Sequence, residues 1–381
     1  MTINFNQLVN FRKHLHSIPE LSDNEKITSR SIREFLSNCN PTELLSGVGG
    51  YGIIATWDSG HSGKEIIFRS ELDALPIEEL NTFQYRSQYR NVSHKCGHDG
   101  HSAILCGVAQ YLKIHSPLKG KIRLLFQSSE EIGMGAKAIL EDKKFSDIKP
   151  DFIFALHNLP GYKLNEIIVK DDLFTASVNS LIIDLYGKES HAAEPEQGNN
   201  PALAVSEILR ECISKNNNKP ERDDMMIVTP VYAELGEKAY GISPGKATVH
   251  FTLRSWNDDI LRSFEDQIEK ISKSIADKHG LKIELKYLQT FYASNNNTEA
   301  VDIVRIAGSN SGFTVTEKKY PFKWGEDFGL FTSRFKGCMF GLGAGENIPA
   351  LHNPDYDFPD ELIETGVKIF TNIINQLTIY V

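Results

Sequence analysis

The chain has 381 residues, 40% of them hydrophobic and 24% charged, the balance of a soluble globular protein with enough length for about two cores. A net charge of −9 argues against nucleic acid or an anionic membrane as partner. Cys39, Cys96, Cys106, Cys212 and Cys338 are odd in number and widely scattered, which fits a reducing cytoplasm better than a disulfide framework. The opening Met1-Thr2-Ile3-Asn4-Phe5-Asn6 has no basic region and no apolar run, so neither a signal peptide nor a membrane span is expected there.

From Asn6 to about Asn38 the apolar residues recur at helical spacing. Strands are predicted at Gly52–Trp57 and Glu65–Arg69, then a helix from near His101 through Leu112. A strand at Lys121–Phe126, a short helix around Ala136–Leu140 and a strand at Phe152–Asn158 follow. Strands alternating with helices predict an α/β fold, a mainly parallel sheet sandwiched by helices. The middle of the chain reads differently. Strands at Ser180–Tyr186, Met225–Leu235, Lys246–Trp256 and Leu281–Phe291 enclose helices at Pro201–Ile213 and Asp259–His279. That order, β-α-β-β-α-β, is ferredoxin-like. It predicts an α+β domain over residues 177–289, inserted between a first part (1–176) and a second part (290–381) of one larger domain. Helix and strand resume after Phe291 and end in a helix from about Asp360 to Leu377.

The chemistry concentrates in His94-Lys95-Cys96-Gly97-His98-Asp99-Gly100-His101. Cys and His are the usual ligands of zinc-like ions, and the glycines let the backbone turn several donors toward one point. Asp99 and His101 are candidates either for groups behind the metal ligands or for helix N-terminal residues, and Asp99, just before a predicted helix, better fits the second. Glu130-Glu131 follows the Lys121–Phe126 strand. A lone Glu pair is usually a solvated surface feature, but at a strand end one carboxylate can bind metal while the other acts as base. His157 ends another apolar strand, and His352 follows the glycine-rich run Gly341-Leu342-Gly343-Ala344-Gly345. Four such segments on one chain point to a shared metal centre.

The order of these motifs resembles the co-catalytic metallopeptidase and aminoacylase family. It is most similar to the amidohydrolase branch containing hippurate hydrolase, indole-acetyl-amino-acid hydrolases and N-acetyl-diaminopimelate deacetylase. The likeness is carried by Arg12-Lys13-His14-Leu15-His16-Ser17-Ile18-Pro19-Glu20-Leu21, Arg69-Ser70-Glu71-Leu72-Asp73-Ala74-Leu75-Pro76 and the Cys96–His101 run. The Glu pair, Leu156-His157-Asn158, His191-Ala192-Ala193 and Leu351-His352 follow in order. The resemblance implies Cys96, His98, Glu131, His157 and His352 as metal ligands, with Cys96 bridging two ions, and Glu130 as general base. It implies that Asp73 orients a ligand, and that His191, on an inserted lid, stabilises the oxyanion, often from a partner subunit. A homodimer through that lid is therefore expected. Glu71 stands where the branch usually has Asp, a change of one methylene close to the metal site, and Glu194, Glu196 and Gly241 stand where Met, His and Asn are usual; the changes near His191 bear on substrate preference more than on catalysis.

Arg254, at the end of the Phe251-Thr252-Leu253 strand, is a candidate for binding a substrate carboxylate; the alternative is a surface strand-end residue. One or two divalent ions (Zn, Mn, Co or Ni) are the implied cofactor. The expected activity is hydrolysis of the amide bond of an N-acyl amino acid. Cleavage of short peptides by the same centre, as a dipeptidase or aminopeptidase, is the alternative, and a non-catalytic metal-dependent binding protein is a further one, against which the Glu130 base argues.

Overall fold

The computed structural model describes residues 2–378, which divide into two compact units. The first comprises residues 2–174, 294–319 and 326–378, and the second residues 175–293 and 320–325.

The first unit is built on an eight-stranded sheet. In spatial order its strands are Glu43–Val48, Gly52–Asp58, Lys121–Gln127, Glu65–Glu71, Phe152–Pro160, Gly337–Gly345, Ile167–Val169 and Val315–Glu317. The four central strands, from Lys121–Gln127 to Gly337–Gly345, are parallel to one another. Their sequences are nearly continuous apolar runs because both faces are covered. Phe68, Phe126, Phe154 and Phe340 face a core shared with Leu105 and Val108 of helix His98–Ile114 and Val367 and Phe370 of helix Glu361–Thr378. Ile67, Leu125 and Ile153, on the alternate positions, are also buried.

One sequence expectation is corrected here, and one run to which the sequence assigned no element is a strand. The helical pattern predicted from Asn6 to Asn38 is two helices, Phe5–Ser17 and Lys26–Ser37. Pro19 disfavours helical geometry at Ile18 and ends the first. The glycine-rich run after Phe340 is part of a strand, Gly337–Gly345, although glycine has little strand preference. Its neighbours explain this: a Cβ on Gly341 would come within 2.1 Å of Leu159, and one on Gly343 within 2.0 Å of the Lys163 carbonyl.

The second unit is a four-stranded antiparallel sheet in the order Met226–Leu235, Lys246–Ser255, Ser177–Tyr186, Lys282–Phe291. Its helices are Ala202–Ser214 and Asp258–Lys278. Leu181, Ile183 and Leu185 alternate inward and meet Val249, Phe251, Ile208, Phe264 and Ile268 in a separate core. All five cysteines are buried free thiols, Cys212 in this second core and Cys39, Cys96, Cys106 and Cys338 in the first unit. Among the described residues no helix is long and apolar enough to cross a membrane.

Candidate metal centre

The donor side chains lie at the carboxyl ends of the central parallel strands, where open α/β sheets place their ligands. Strand Glu65–Glu71 runs on to Asp73, Lys121–Gln127 to Glu130 and Glu131, and Phe152–Pro160 carries His157. Cys96 and His98 flank Gly97, whose φ of 97° is left-handed and whose missing Cβ would lie 2.6 Å from the Asn158 side chain. His352 stands in a turn beyond the Gly337–Gly345 strand, and its N–H donates to the Lys95 carbonyl at 2.8 Å.

These segments converge. Donor atoms of Cys96, His98 and His157 lie within 4.8 Å of one another, as do those of Cys96, Glu131 and His352. The Cys96 sulfur thus joins both groups. Cys96 Sγ is 3.5 Å from His157 Nε2, and His98 Nε2 is 3.8 Å from Glu131 and 3.9 Å from Glu130.

The imidazoles are turned for ligation. His98 Nδ1 donates to the Asp73 carbonyl at 2.9 Å, and His157 Nδ1 to the Asn158 carbonyl at 2.9 Å. A carbonyl only accepts, so each Nδ1 carries a proton and each Nε2 is the ring atom left to face the cluster. Burial and neighbouring positive charge hold His157 down to about 3, as a neutral ring. Burial also raises the Cys96 thiol, with the charges of Glu131 and Glu130 adding to it. His98 Nε2 and Glu131 Oε1 are buried with no hydrogen-bond partner. Such orphaned atoms, grouped with a thiol and two further imidazoles, fit a divalent ion of the zinc type.

Glu130 is also part of a third group, within 4.8 Å of Glu326 and Asp327. Burial, then the charges of Glu326, Glu131 and Asp327, push its carboxyl well above the usual carboxylate range, against the pull of Arg69. Arg69 is fully buried and binds Glu71, Glu326 at 2.9 Å and Asp327 at 2.7 Å. Asp73 does more than face His98: its Oδ2 accepts the Glu131 N–H at 2.9 Å and the Ser22 hydroxyl at 2.7 Å.

Other residues of the sequence cluster have different duties. Both ring nitrogens of His101 are occupied, by Glu71 at 2.7 Å and Asn158 Oδ1 at 2.6 Å. Asp99 sits in the first turn of helix His98–Ile114 but does not cap it. Its buried carboxylate pairs with His16 at 2.9 Å and Arg12 at 3.4 Å. His94 is buried outside every donor group among the described residues.

His191 and Arg254 belong to the second unit. His191 is exposed, with its Nδ1 accepting the Ala193 N–H at 3.0 Å, so Nε2 carries the proton and can donate. Arg254 Nη1 donates to the Lys323 carbonyl at 2.9 Å, and burial lowers its guanidinium pKa. Glu194 and Glu196 are exposed, and the Gly241 carbonyl accepts the Ala192 N–H at 2.9 Å.

Sequence reasoning missed Arg69, Glu326 and Asp327. Signals existed: a charge inside the apolar run Ile66-Ile67-Phe68-Arg69, and adjacent acids ahead of Phe328.

Fold and donor set together define a metal-dependent hydrolase. The chain belongs to peptidase family M20/M25/M40, whose profile matches residues 67–376. It is 30% identical to the hippurate hydrolase of Campylobacter jejuni over 95% of this chain and 94% of that one. It is 29% identical to the N-acetyldiaminopimelate deacetylase of Priestia megaterium, covering 96% and 97%. The Bacillus subtilis YXEP protein, a dinuclear metal binding peptidase from the M20 family, superposes with a TM-score of 0.81 at 25% identity, covering 98% of each chain. The resemblance read from the motifs, the α/β fold and the metal-dependent amidohydrolase class all agree with these relatives.

Proposed function

We propose that this enzyme hydrolyses the amide bond of N-acyl amino acids to a carboxylic acid and an amino acid. The observation that carries the reading is the convergence of two consecutive carboxylates on His98 Nε2: Glu131 also joins Cys96 and His352, while Glu130 joins Glu326 and Asp327 instead. This supports reading Glu131 as ligand and its neighbour Glu130 as base. Cys96, His98, Glu131, His157 and His352 would hold one or two divalent ions. A bound ion of this kind polarises a carbonyl and acidifies water.

Glu130 takes the proton of the attacking water and delivers it to the leaving nitrogen. The buried carboxylates beside it disfavour its charged form, which suits a group that must hold a proton between the two steps. Asp73 fixes Glu131 through its backbone N–H. His191 donates to the oxyanion from Nε2, and Arg254 binds the substrate carboxylate with the part of its guanidinium not given to Lys323.

The relatives named above act on hippurate and on N-acetyldiaminopimelate, which supports an N-acyl amino acid as substrate class. Residues 177–289 act as the lid domain, between catalytic segments 1–176 and 290–381. Exposed Val231, Tyr232 and Leu235 on the outer strand of the second unit's sheet support a homodimer through that unit. The buried free thiols support a cytoplasmic setting. The test is a panel of N-acyl amino acids and dipeptides assayed after reconstitution with Zn, Mn, Co and Ni separately. Turnover of N-acyl amino acids above dipeptides is expected; faster dipeptide cleavage would favour the peptidase reading, and metal binding without turnover of either would sink both.

A further inference from the structure

Successive residues of a strand point to opposite faces, yet Glu130 and Glu131 both reach His98. The chain must leave strand geometry just before them, and it does so at Ser129, whose φ is +59°. A non-glycine residue there is strained, so surrounding structure has to hold it.

The holding groups come from the connector between the first two helices, residues 18–25. Glu25 Oε1 accepts the Ser129 N–H at 2.7 Å. Ser129 Oγ donates to Asp23 Oδ1 at 2.7 Å and accepts the Asp23 N–H at 3.0 Å. Asp23 is itself left-handed, with φ of +64°.

Glu25 is placed for another task and does not perform it. It occupies the N-cap position of helix Lys26–Ser37, yet its side chain caps nothing. Glu20 does the capping: its Oε2 accepts the N–H groups of Ile27 and Thr28 at 2.8 Å each, together with the Thr28 hydroxyl at 3.0 Å. The Glu25 carboxylate is fully buried and turned toward Ser129 instead.

We infer that Glu25 is a positioning residue of the metal centre, which holds the left-handed turn at Ser129 and so aims Glu130 and Glu131 at one site. With Asp73 on the Glu131 N–H, two buried carboxylates grip the backbone on either side of the base. This rests on the roles proposed above for Glu130 and Glu131.

The test uses the full chain with Glu25→Ala, Glu25→Gln, and Ser129→Gly in the Glu25→Ala background. Calorimetric titration with Zn²⁺ or Mn²⁺ gives metal affinity, and kcat and KM are measured on an N-acyl amino acid that the native protein hydrolyses. Glu25→Ala is expected to lose about tenfold or more in both metal affinity and kcat, the usual effect of removing a group behind a metal ligand, with KM little changed. Glu25→Gln, whose carbonyl can accept the same N–H, stays within about threefold of native. Ser129→Gly recovers part of the loss, because glycine adopts positive φ without strain. Native-like values in Glu25→Ala, an equal loss in Glu25→Gln, or no recovery by Ser129→Gly would each overturn the inference. Should Glu25→Ala not fold, Glu25→Asp, which withdraws the acceptor by one methylene, carries the same expectation and the same overturning result. If the native protein hydrolyses no member of the panel, the functional reading fails, and metal affinity alone still decides the role of Glu25.

Discussion

The sheet of the first unit is buried on both faces at its centre, and that of the second presents one face to its helices and the other outward. In the first, the charged groups buried near the metal centre are each matched: Arg69 and Arg12 with three carboxylates apiece, and His101 with the Glu71 carboxylate and the Asn158 amide oxygen. In the second, charges ring a sheet edge in water, as with Lys282 and Glu284. A charge removed from water must be matched atom by atom, so burial turns ordinary side chains into a fixed constellation. A charge left in water is free to vary.

The largest expected effect tests whether the buried site divides labour as its geometry suggests. Glu130→Gln should reduce kcat by roughly 10²–10⁴ and leave bound metal nearly unchanged. Glu131→Gln should lose metal on dialysis. Equal metal loss in both variants would erase the distinction between base and ligand.

The next sets the two units against each other in stability. Arg69→Met strands three buried carboxylates and should destabilise by about 3–5 kcal/mol in denaturant unfolding. Lys282→Ala, which breaks an exposed pair in the second unit, should leave the unfolding midpoint nearly unchanged. Comparable losses would mean that burial is not what separates the two regions.

A smaller effect should follow pH. Burial pushes His16 down, but the hydrogen bonds its ring nitrogens donate to Asp99 and Glu79 outweigh it and raise the imidazole to about 9. A raised folded value means stability that is fully present below the ordinary histidine range and is lost as pH climbs toward about 9. The Tm gap between native protein and His16→Asn should therefore narrow between about pH 6 and about pH 10. A gap that stays constant or widens would show that His16 contributes through packing instead.

The smallest concerns the exposed acids of the second unit. Glu194→Met with Glu196→His should shift preference toward acidic substrates if those carboxylates meet the substrate, judged by N-acetyl-glutamate against N-acetyl-lysine. An unchanged ratio would leave them as solvated surface groups.

How much of this was legible in the sequence follows the same division. Cys96, His98, Glu131, His157 and His352 could be picked out because donors at strand ends are spelled in short local motifs, and the fold brings them together. Arg69 with Glu326 and Asp327 was not, since their pairing spans 257 and 258 residues and the local signals, a charge in an apolar run and two adjacent acids, do not say which meets which. The strand Gly337–Gly345 was hidden by its own glycines, whose reason is the approach of Leu159 and Lys163. Asp99 looked like a helix cap because its position is right for one; only Arg12 and His16, far earlier in the chain, give its carboxylate another use. The turn at Ser129 was equally invisible, because serine carries no mark of positive φ.

The buried thiols give this molecule a built-in set of chemical reporters. A thiol-reactive dye can reach Cys212 only when the second core opens, and Cys39, Cys106 or Cys338 only when parts of the first do. Labelling rates, read peptide by peptide, would therefore time the breathing of each unit in the unmodified protein, with no engineered probe to disturb it.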